Sequence, residues 1–385
     1  MRIVIIGTAY PMRGGIAHYV ALLYRALEKR GHRVHVISFK RQYPSMLFPG
    51  KTQMDSGDEL IPVKSSPLID TINPLSWVRA FLAIKRLKPD MLIFKYWMPF
   101  FAPCYAFLVL SSKHLLHVPA FYICDNIVPH EKKPLDGFLT RLAFRDVPGF
   151  IVQSESVKRD LLRLRPDSLF CFVPHPLYTL FPPPLPKAAA RRKLSLKGKR
   201  YLLYFGYIRK YKGLPVLIEA MARLTAEMDI HLIVCGEFYE DRDETVSLIR
   251  RLHLTRHIRL EDRFIPNEDV GLFFSASDLV VLPYLSATQS GIVKIAYHYE
   301  KPVVVTRVGG LPESVTQGVT GYVVPPADPE SLARAILRFF NKKKGPVFSG
   351  NIRRLKCRYS WERLAVAIES LARADCPGDG QSGEI

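Results

Sequence analysis

The stretch TQSGIVKIAYHYEKPVVVTRVGGLPESV, Thr288 to Val315, decides the fold of this chain. An apolar run before it, Asp278 to Tyr284, reads as a buried strand. A small polar loop then opens a helical pattern, and a second strand, Pro302 to Thr306, ends in a Gly-Gly turn. Thr288, Gln289, Ser290 and Gly291 stand where the helix begins. The first N–H groups of a helix lack intrahelical partners, and its dipole is positive there, so this loop suits a phosphate.

The same alternation extends in both directions. Upstream, strand YLLYF (Tyr201 to Phe205) leads through a Gly- and Lys-rich loop into a helix, Leu214 to Glu227, and further strands fall at Ile230–Cys235, Ile258–Glu261, Leu279–Pro283 and Val303–Thr306. In the first half, a strand at Ile3–Gly7 is followed by a helix over Ile16–Arg30, with Ile16, Val20, Leu23 and Leu27 on one face and Gly31 as its stop. Strands follow at Val34–Phe39, Met91–Lys95, Ala120–Cys124 and Phe150–Gln153. Such alternation predicts parallel sheets with helices on both faces, in two doubly wound domains. Between them FPPPLPKAAARRKLSLKGKR reads as a linker. The expected order is a first domain over 1–180, a linker over 181–200, a second domain over 201–357, a final amphipathic helix within 358–373 and a disordered tail over 374–385. Ligands of such sheets bind beyond the carboxyl ends of the strands, which points to a cleft where the loops of the two domains face each other.

The 385 residues are 48 % apolar and carry a net charge of +20. That charge fits nucleic acid, an anionic membrane face or an anionic substrate. No zinc-finger or RRM signature is present, so nucleic acid is not expected, and basic residues lying among aromatics favour the membrane face. Six cysteines without paired spacing read as free thiols in a reducing compartment. The opening MRIVIIGTAYP reads as a strand and not as a signal peptide. The most apolar stretch, Tyr96 to Ser111, is short for a bilayer span and is interrupted by Pro99 and Pro103, so a buried or interfacial helix is expected.

Three further loops carry candidate chemistry. GTAYPMRGG (Gly7 to Gly15) joins the first strand to the first helix, and Gly14-Gly15 lets backbone approach a ligand or simply makes a tight turn. FGYIRKYKG (Phe205 to Gly213) places Arg209, Lys210 and Lys212 in one strand-to-helix loop, where they neutralise a departing diphosphate or form a solvated basic loop. CDNIVPHEK (Cys124 to Lys132) offers Asp125, His130 and Glu131 as acid–base candidates, although a structural histidine fits equally. EDRDE (Glu240 to Glu244) has the look of a metal-binding DxD, but without further ligands nearby it reads as a solvated charge run.

GGIAHYVALLYRALEKRGHRVHVIS, FGYIRKYKGLPVLIEA, VGGLPESVTQGVTGYVVPPADPESLARAI and YSWERL together resemble the family 4 glycosyltransferases, the large group 1 of retaining enzymes with the GT-B fold. The resemblance implies two Rossmann-like domains facing across a cleft, a nucleoside diphosphate sugar donor held mostly by the second domain, an acceptor held by the first, and no metal or other cofactor. By position, Gly15 matches the glycine whose backbone meets the donor diphosphate, and Lys212 matches the diphosphate-binding lysine. Tyr207 takes the place of the family's partner arginine, with Arg209 as its substitute two residues on. Ser290 and Gly291 match the diphosphate-binding backbone, with Thr288 or Gln289 reaching the sugar hydroxyls.

Two positions depart from the family. Aligned on Lys301-Pro302, Ala287 and Ile295 stand where the family carries two glutamates, which hold sugar and ribose hydroxyls. Asp125 stands where many members have a histidine, and would accept a hydrogen bond from a sugar hydroxyl or stabilise positive charge at the anomeric carbon. The expected protein is a cytoplasmic retaining glycosyltransferase, peripheral on the inner face of the membrane, with a lipid-linked or saccharide acceptor and catalytic residues Asp125, Arg209 and Lys212. The alternative is a non-catalytic sugar-nucleotide-binding scaffold or regulator.

Overall fold

The computed structural model describes residues 1–44, 54, 61–128, 134–287 and 290–373, and residues 374–385, read above as a disordered tail, lie outside these. The chain divides into two compact units, Met1–Pro176 together with the segment from Tyr359, and Leu177–Arg358.

In chain order the first unit runs β1 (Arg2–Ile6), α1 (Gly15–Lys29), β2 (Arg33–Arg41), β3 (Ser65–Asp70), α2 (Pro74–Leu87), β4 (Met91–Tyr96), α3 (Ala102–Ser111), β5 (Ala120–Cys124), α4 (Asp136–Phe144), β6 (Gly149–Val152), α5 (Glu155–Leu164) and β7 (Leu169–Phe172). The second runs α6 (Lys187–Lys193), β8 (Tyr201–Phe205), α7 (Leu214–Glu227), β9 (His231–Cys235), α8 (Arg242–Arg251), β10 (Ile258–Glu261), α9 (Asn267–Ala276), β11 (Leu279–Leu282), α10 (Gly291–His298), β12 (Val303–Thr306), β13 (Gly321–Val324), α11 (Pro329–Asn341) and α12 (Gly345–Leu355). The last helix, α13 (Trp361–Ala372), belongs to the first unit.

Among the described residues the first sheet has the order β3-β2-β1-β4-β5-β6-β7 and the second β10-β9-β8-β11-β12-β13. Every strand pair in both is parallel. In each sheet the chain turns back beside its first strand, so β1 and β8 lie at the switch of direction where open α/β sheets leave a crevice for ligands.

Strand β4 shows how the first sheet is covered. Its side chains alternate, and all six residues are buried. Phe94 and Tyr96 point to one face, where they meet Tyr105 of α3, and Tyr96 meets Phe144 of α4. Lys95 points to the other and lies over the Tyr19 ring of α1. The tyrosines in this core each satisfy their hydroxyl: Tyr105 donates to the Lys95 carbonyl (3.0 Å), Tyr122 to the Ala143 carbonyl (3.0 Å), and Tyr96 pairs with Thr140 Oγ1 (3.2 Å). The apolar stretch Tyr96–Ser111 is not one helix. Tyr96 ends β4, Pro99–Phe101 forms a 3-10 turn, and α3 starts at Ala102 with Pro103 in its first turn, where a missing N–H costs nothing. No helix among the described residues is long and apolar enough to cross a membrane.

The proline-rich segment ahead of β8 contains a helix, α6, that is anchored to the second unit. Asp278 takes Lys187 Nζ (2.6 Å), Arg191 Nη2 (2.7 Å) and the Tyr201 N–H (2.8 Å). The cysteine reading fails at one place: Cys104, Cys124, Cys235 and Cys357 are free thiols, but Cys171 is disulfide-bonded.

Helix α13 packs on α1 and against β6 and β7. Its Glu369 receives Arg30 Nε (2.7 Å), Arg30 Nη2 (2.8 Å) and His32 Nε2 (2.8 Å). The Arg30 hydrogen bonds, aided by His32 and opposed by burial, hold the Glu369 carboxyl down at about 2 against an ordinary 4.5. Its folded value lies below its unfolded value, so the stabilisation is complete above pH 4.5 and is lost as pH falls toward 2. Glu369→Gln should therefore lower the unfolding free energy of the first unit at about pH 6 by about 1–3 kcal/mol, read from its urea unfolding curve. The gap to wild type should close on acidification; a gap independent of pH would refute the assignment.

Candidate functional site

In the second unit two strand-to-helix loops meet. Strand β8 gives way to Gly206 (φ 106°), and a 3-10 turn over Lys210–Lys212 leads to Gly213 (φ 65°) and α7. A side chain at Gly206 would lie 3.1 Å from Lys212 Nζ and 3.4 Å from Ile292 Cδ1, so the amine sits above the strand end beside the first turn of α10. Gly213 is required twice over: its φ is left-handed, and a Cβ would run into the Pro283 carbonyl oxygen after β11. Leu285 N–H donates to the Tyr211 carbonyl (2.6 Å), joining the two loops by backbone. Tyr284 completes the junction, with its ring 5.7 Å from Lys212 Nζ and its hydroxyl 3.5 Å from Ser290 Oγ.

Ser290 is the N-cap of α10, and its Oγ accepts from Ile292 N–H (3.3 Å). Gly291 begins the helix under the Tyr178 ring, which a Cβ there would meet at 3.1 Å. Lys212, Ser290 and Gly291 are thus brought together. Arg209 joins them electrostatically, lying over the Tyr239 ring at 5.0 Å with its charge felt at Lys212. Thr288 and Gln289 lie outside the described residues.

The electrostatics are lopsided. Loss of water, and secondarily the Arg209 charge, pull the Lys212 amine down to about 7. Among the described residues neither Lys212 nor Arg209 is ion-paired with a carboxylate. The neighbouring Lys210 is spent otherwise, with its Nζ 3.5 Å from Asp241 and its N–H on Glu240. Two basic side chains without a carboxylate partner among the described residues, one of them next to the positive end of a helix, leave an imbalance that an anion would relieve. The EDRDE run holds local partners: Glu240 the Lys210 N–H, and Arg242 the Asp262 carboxylate (2.6 Å). No group of three or more His, Cys, Asp or Glu suited to a metal occurs among the described residues.

Two buried lysines escaped the sequence reading. Lys294 of α10 donates to Ser314 Oγ (3.1 Å), and burial lowers it to about 7 while Glu313 opposes that shift. Tyr297, one turn on, donates to the Ser314 carbonyl (2.8 Å), so α10 is fixed to the GGLPES turn. The other is Lys95, whose amine reaches Asp125 Oδ1 (2.6 Å) and Gln153 Oε1 (3.4 Å). A lone lysine within GIVKIAY or LIFKY was the available signal, because a buried cation needs a partner.

In the first unit, Gly14 (φ 113°) is the N-cap of α1 and Gly15 its first residue, at the carboxyl end of β1. Asp125 follows β5 at the same edge of the sheet and is joined to α1 through Lys95 and Tyr19. Burial raises the Asp125 carboxyl and lowers the Lys95 amine, and their mutual attraction opposes both shifts. His130 and Glu131 lie outside the described residues.

Comparison with known proteins matches this anatomy in two parts. The family described as glycosyl transferases group 1 matches residues 199–342, and Glycosyltransferase Family 4 matches residues 13–179. The chain belongs to the group 1, family 4 glycosyltransferases. A D-inositol 3-phosphate glycosyltransferase of Corynebacterium urealyticum is 30 % identical over 205 residues, covering 48 % of this chain and 46 % of that protein. Spore coat protein SA of Bacillus subtilis is 24 % identical over 194 residues, covering 47 % and 50 %. The matches thus span about half the length of these curated relatives. Sucrose-phosphate synthase of Thermosynechococcus elongatus superposes with a TM-score of 0.73 at 21 % identity, over 97 % of this chain and 98 % of that one. The Anabaena protein HepE, solved in complex with UDP, gives 0.73 at 18 % identity, over 97 % and 100 %. These likenesses establish the GT-B fold.

Lys212 makes a testable prediction without ligand. Its amine titrates near 7 when folded and near 10.5 when unfolded, so the unfolded chain binds the extra proton between these values. Stability then rises with pH across that window, and the cost of the buried charge is full below it. Lys212→Met should raise the melting temperature at and below pH 7, with the gain shrinking toward pH 10. Destabilisation at neutral pH would contradict the geometry.

Proposed function

We propose that the protein is a retaining glycosyltransferase that moves a sugar from a nucleoside diphosphate sugar to a hydroxyl acceptor. One observation carries the reading: Lys212 stands beside the start of α10 with the Arg209 charge felt at its amine, and among the described residues neither is paired with a carboxylate. Such an arrangement fits a group that becomes more negative as the reaction proceeds, namely the diphosphate leaving the anomeric carbon. The bond from that carbon to the phosphate oxygen breaks while the bond to the acceptor oxygen forms on the same face of the sugar. The acceptor proton passes to the departing phosphate oxygen. The backbone at Ser290 and Gly291 cradles the same diphosphate.

In the first unit, Gly14 and Gly15 offer backbone at a helix start for phosphate. Asp125, tied at Oδ1 to Lys95, presents Oδ2 to a sugar hydroxyl. No separate cofactor enters this scheme. The net charge of +20 supports an acceptor met at an anionic surface: a lipid-linked saccharide or polysaccharide precursor on the cytoplasmic face of a membrane.

The test is a thermal-shift screen with UDP-, GDP-, ADP- and TDP-sugars, because a ligand of the folded state alone raises its stability. One donor class should raise the melting temperature, and Lys212→Ala should abolish that shift and reduce turnover about 100-fold or more while the protein stays folded. Binding should also take up a proton near pH 8, since an anion beside Lys212 restores its charge; calorimetry in two buffers of different ionisation enthalpy reads this directly. Unchanged turnover in Lys212→Ala rejects the site.

A second reading, a non-catalytic sugar-nucleotide-binding protein, is favoured by the apolar Ala287 and Ile295, both buried where family members place glutamates. Slow release of nucleoside diphosphate from the bound donor without acceptor separates the two: the enzyme hydrolyses it, the scaffold does not.

A further inference from the structure

Helices α2, α3 and α4 form one layer on the first unit, with α3 packed between the other two and Trp77 of α2 against Phe107 of α3. Each helix is apolar inward, as the core requires. Each is also apolar outward. On α2 the inward stripe is Ala80, Phe81 and Ile84, while Leu75 (71 % exposed), Val78 and Leu82 form a second stripe facing solvent. Just past α3, Leu115 is 67 % exposed; at the start of α4, Leu135 and Phe138 are 66 % and 64 % exposed. An ordinary soluble surface carries such residues singly, not on three adjacent helices.

The charges between them are predominantly basic, with Asp136 in the first turn of α4 and Asp146 just after it as the acids. Helix α2 holds Arg79, Lys85 and Arg86 and no acid; α3 with the π-helical turn after it holds Lys113 and His114 and no acid. Arg141 and Arg145 continue the series on and after α4. Where the last turns of this layer meet the start of β5, a cavity of about 450 Å³ is lined by Lys113, His117, Arg145 and Arg165, with Asp146 as the carboxylate, 2.7 Å from Lys113.

We infer that the outer face of α2, α3 and α4 docks on an anionic lipid bilayer, with its leucine and phenylalanine side chains entering the interface and its exposed arginines and lysines on lipid phosphates. Apolar side chains interleaved with cations are what a charged interface with an oily interior selects. A second copy of this chain fits poorly, because a two-fold contact would set basic rim against basic rim. A nucleic acid would leave the leucines against phosphate. This surface deepens the proposed reading of a membrane-borne acceptor and rests on it for its purpose, but vesicle binding and nucleotide binding fail independently.

The experiment is sedimentation of the full chain with vesicles of phosphatidylcholine alone and with about 30 % phosphatidylglycerol. Wild type should bind the anionic vesicles at least about tenfold more tightly, and less tightly when salt is raised from about 0.1 to 0.5 M. The triple variant Leu75→Asp, Leu115→Asp, Phe138→Asp should lose that binding yet keep its melting temperature and its thermal shift with the nucleotide sugar. Should the triple variant be unstable, Arg79→Glu with Arg141→Glu decides by the same loss. Equal binding to both vesicles, binding unaltered in both variants, or a wild-type dimer that the variants convert to monomer overturns the inference. Vesicle binding that persists without any nucleotide-sugar shift would sink the glycosyltransferase reading and leave the surface standing.

Discussion

A parallel sheet cannot leave a face in water, because each crossover lays a helix on it. Both sheets here obey that constraint, and it dictates where chemistry can occur. Strand β4 is buried along its whole length, and so is β11. The faces are therefore occupied by packing, and polar side chains that must meet a substrate are confined to the loops at the strand ends. Gly14, Asp125, Lys212 and Ser290 all follow the carboxyl end of a strand. The position of the candidate site is a consequence of the sheet rather than an addition to it.

Within that frame the protein holds poorly hydrated lysines of two kinds, Lys95 and Lys294 buried and Lys212 half-buried. Lys95 and Lys294 are held by partners, Asp125 for one and Ser314 with the nearby Glu313 for the other, and each ties a helix to the loop beside it. Lys212 has Tyr284 and a helix start beside it but no carboxylate. The first two are structural solutions to a buried charge; the third is an unresolved charge, which suits a position where the missing partner is a ligand. Arg209 over Tyr239 is held by a ring, an arrangement that orients a guanidinium without cancelling it.

Most of the strands and the doubly wound plan were legible in the sequence, since apolar runs of four to six residues ending in small polar loops have few other readings. The Lys212 and Ser290 loops were legible because strand end, glycine and helix start follow one another there. Other elements were not. Strand β3, SSPLID, is short and half-buried at the sheet edge, so no apolar run announces it. Helix α2 blurs its inward stripe because Leu75, Val78 and Leu82 lie among the basic residues of its outer face, and the weakened contrast dims the helical period. The Lys95–Asp125 pair joins residues thirty positions apart through a strand register that sequence does not reveal.

The close approach of Gly213 to the Pro283 carbonyl, with the Leu285-to-Tyr211 bond beside it, fuses two walls of the candidate pocket into a single rigid piece. Exchanges of side chain at Tyr207, Ala287 or Ile295 leave that backbone junction intact, whereas a change of loop length would break it. The same fusion makes glycine at 213 a position where even a methyl group shifts both walls together.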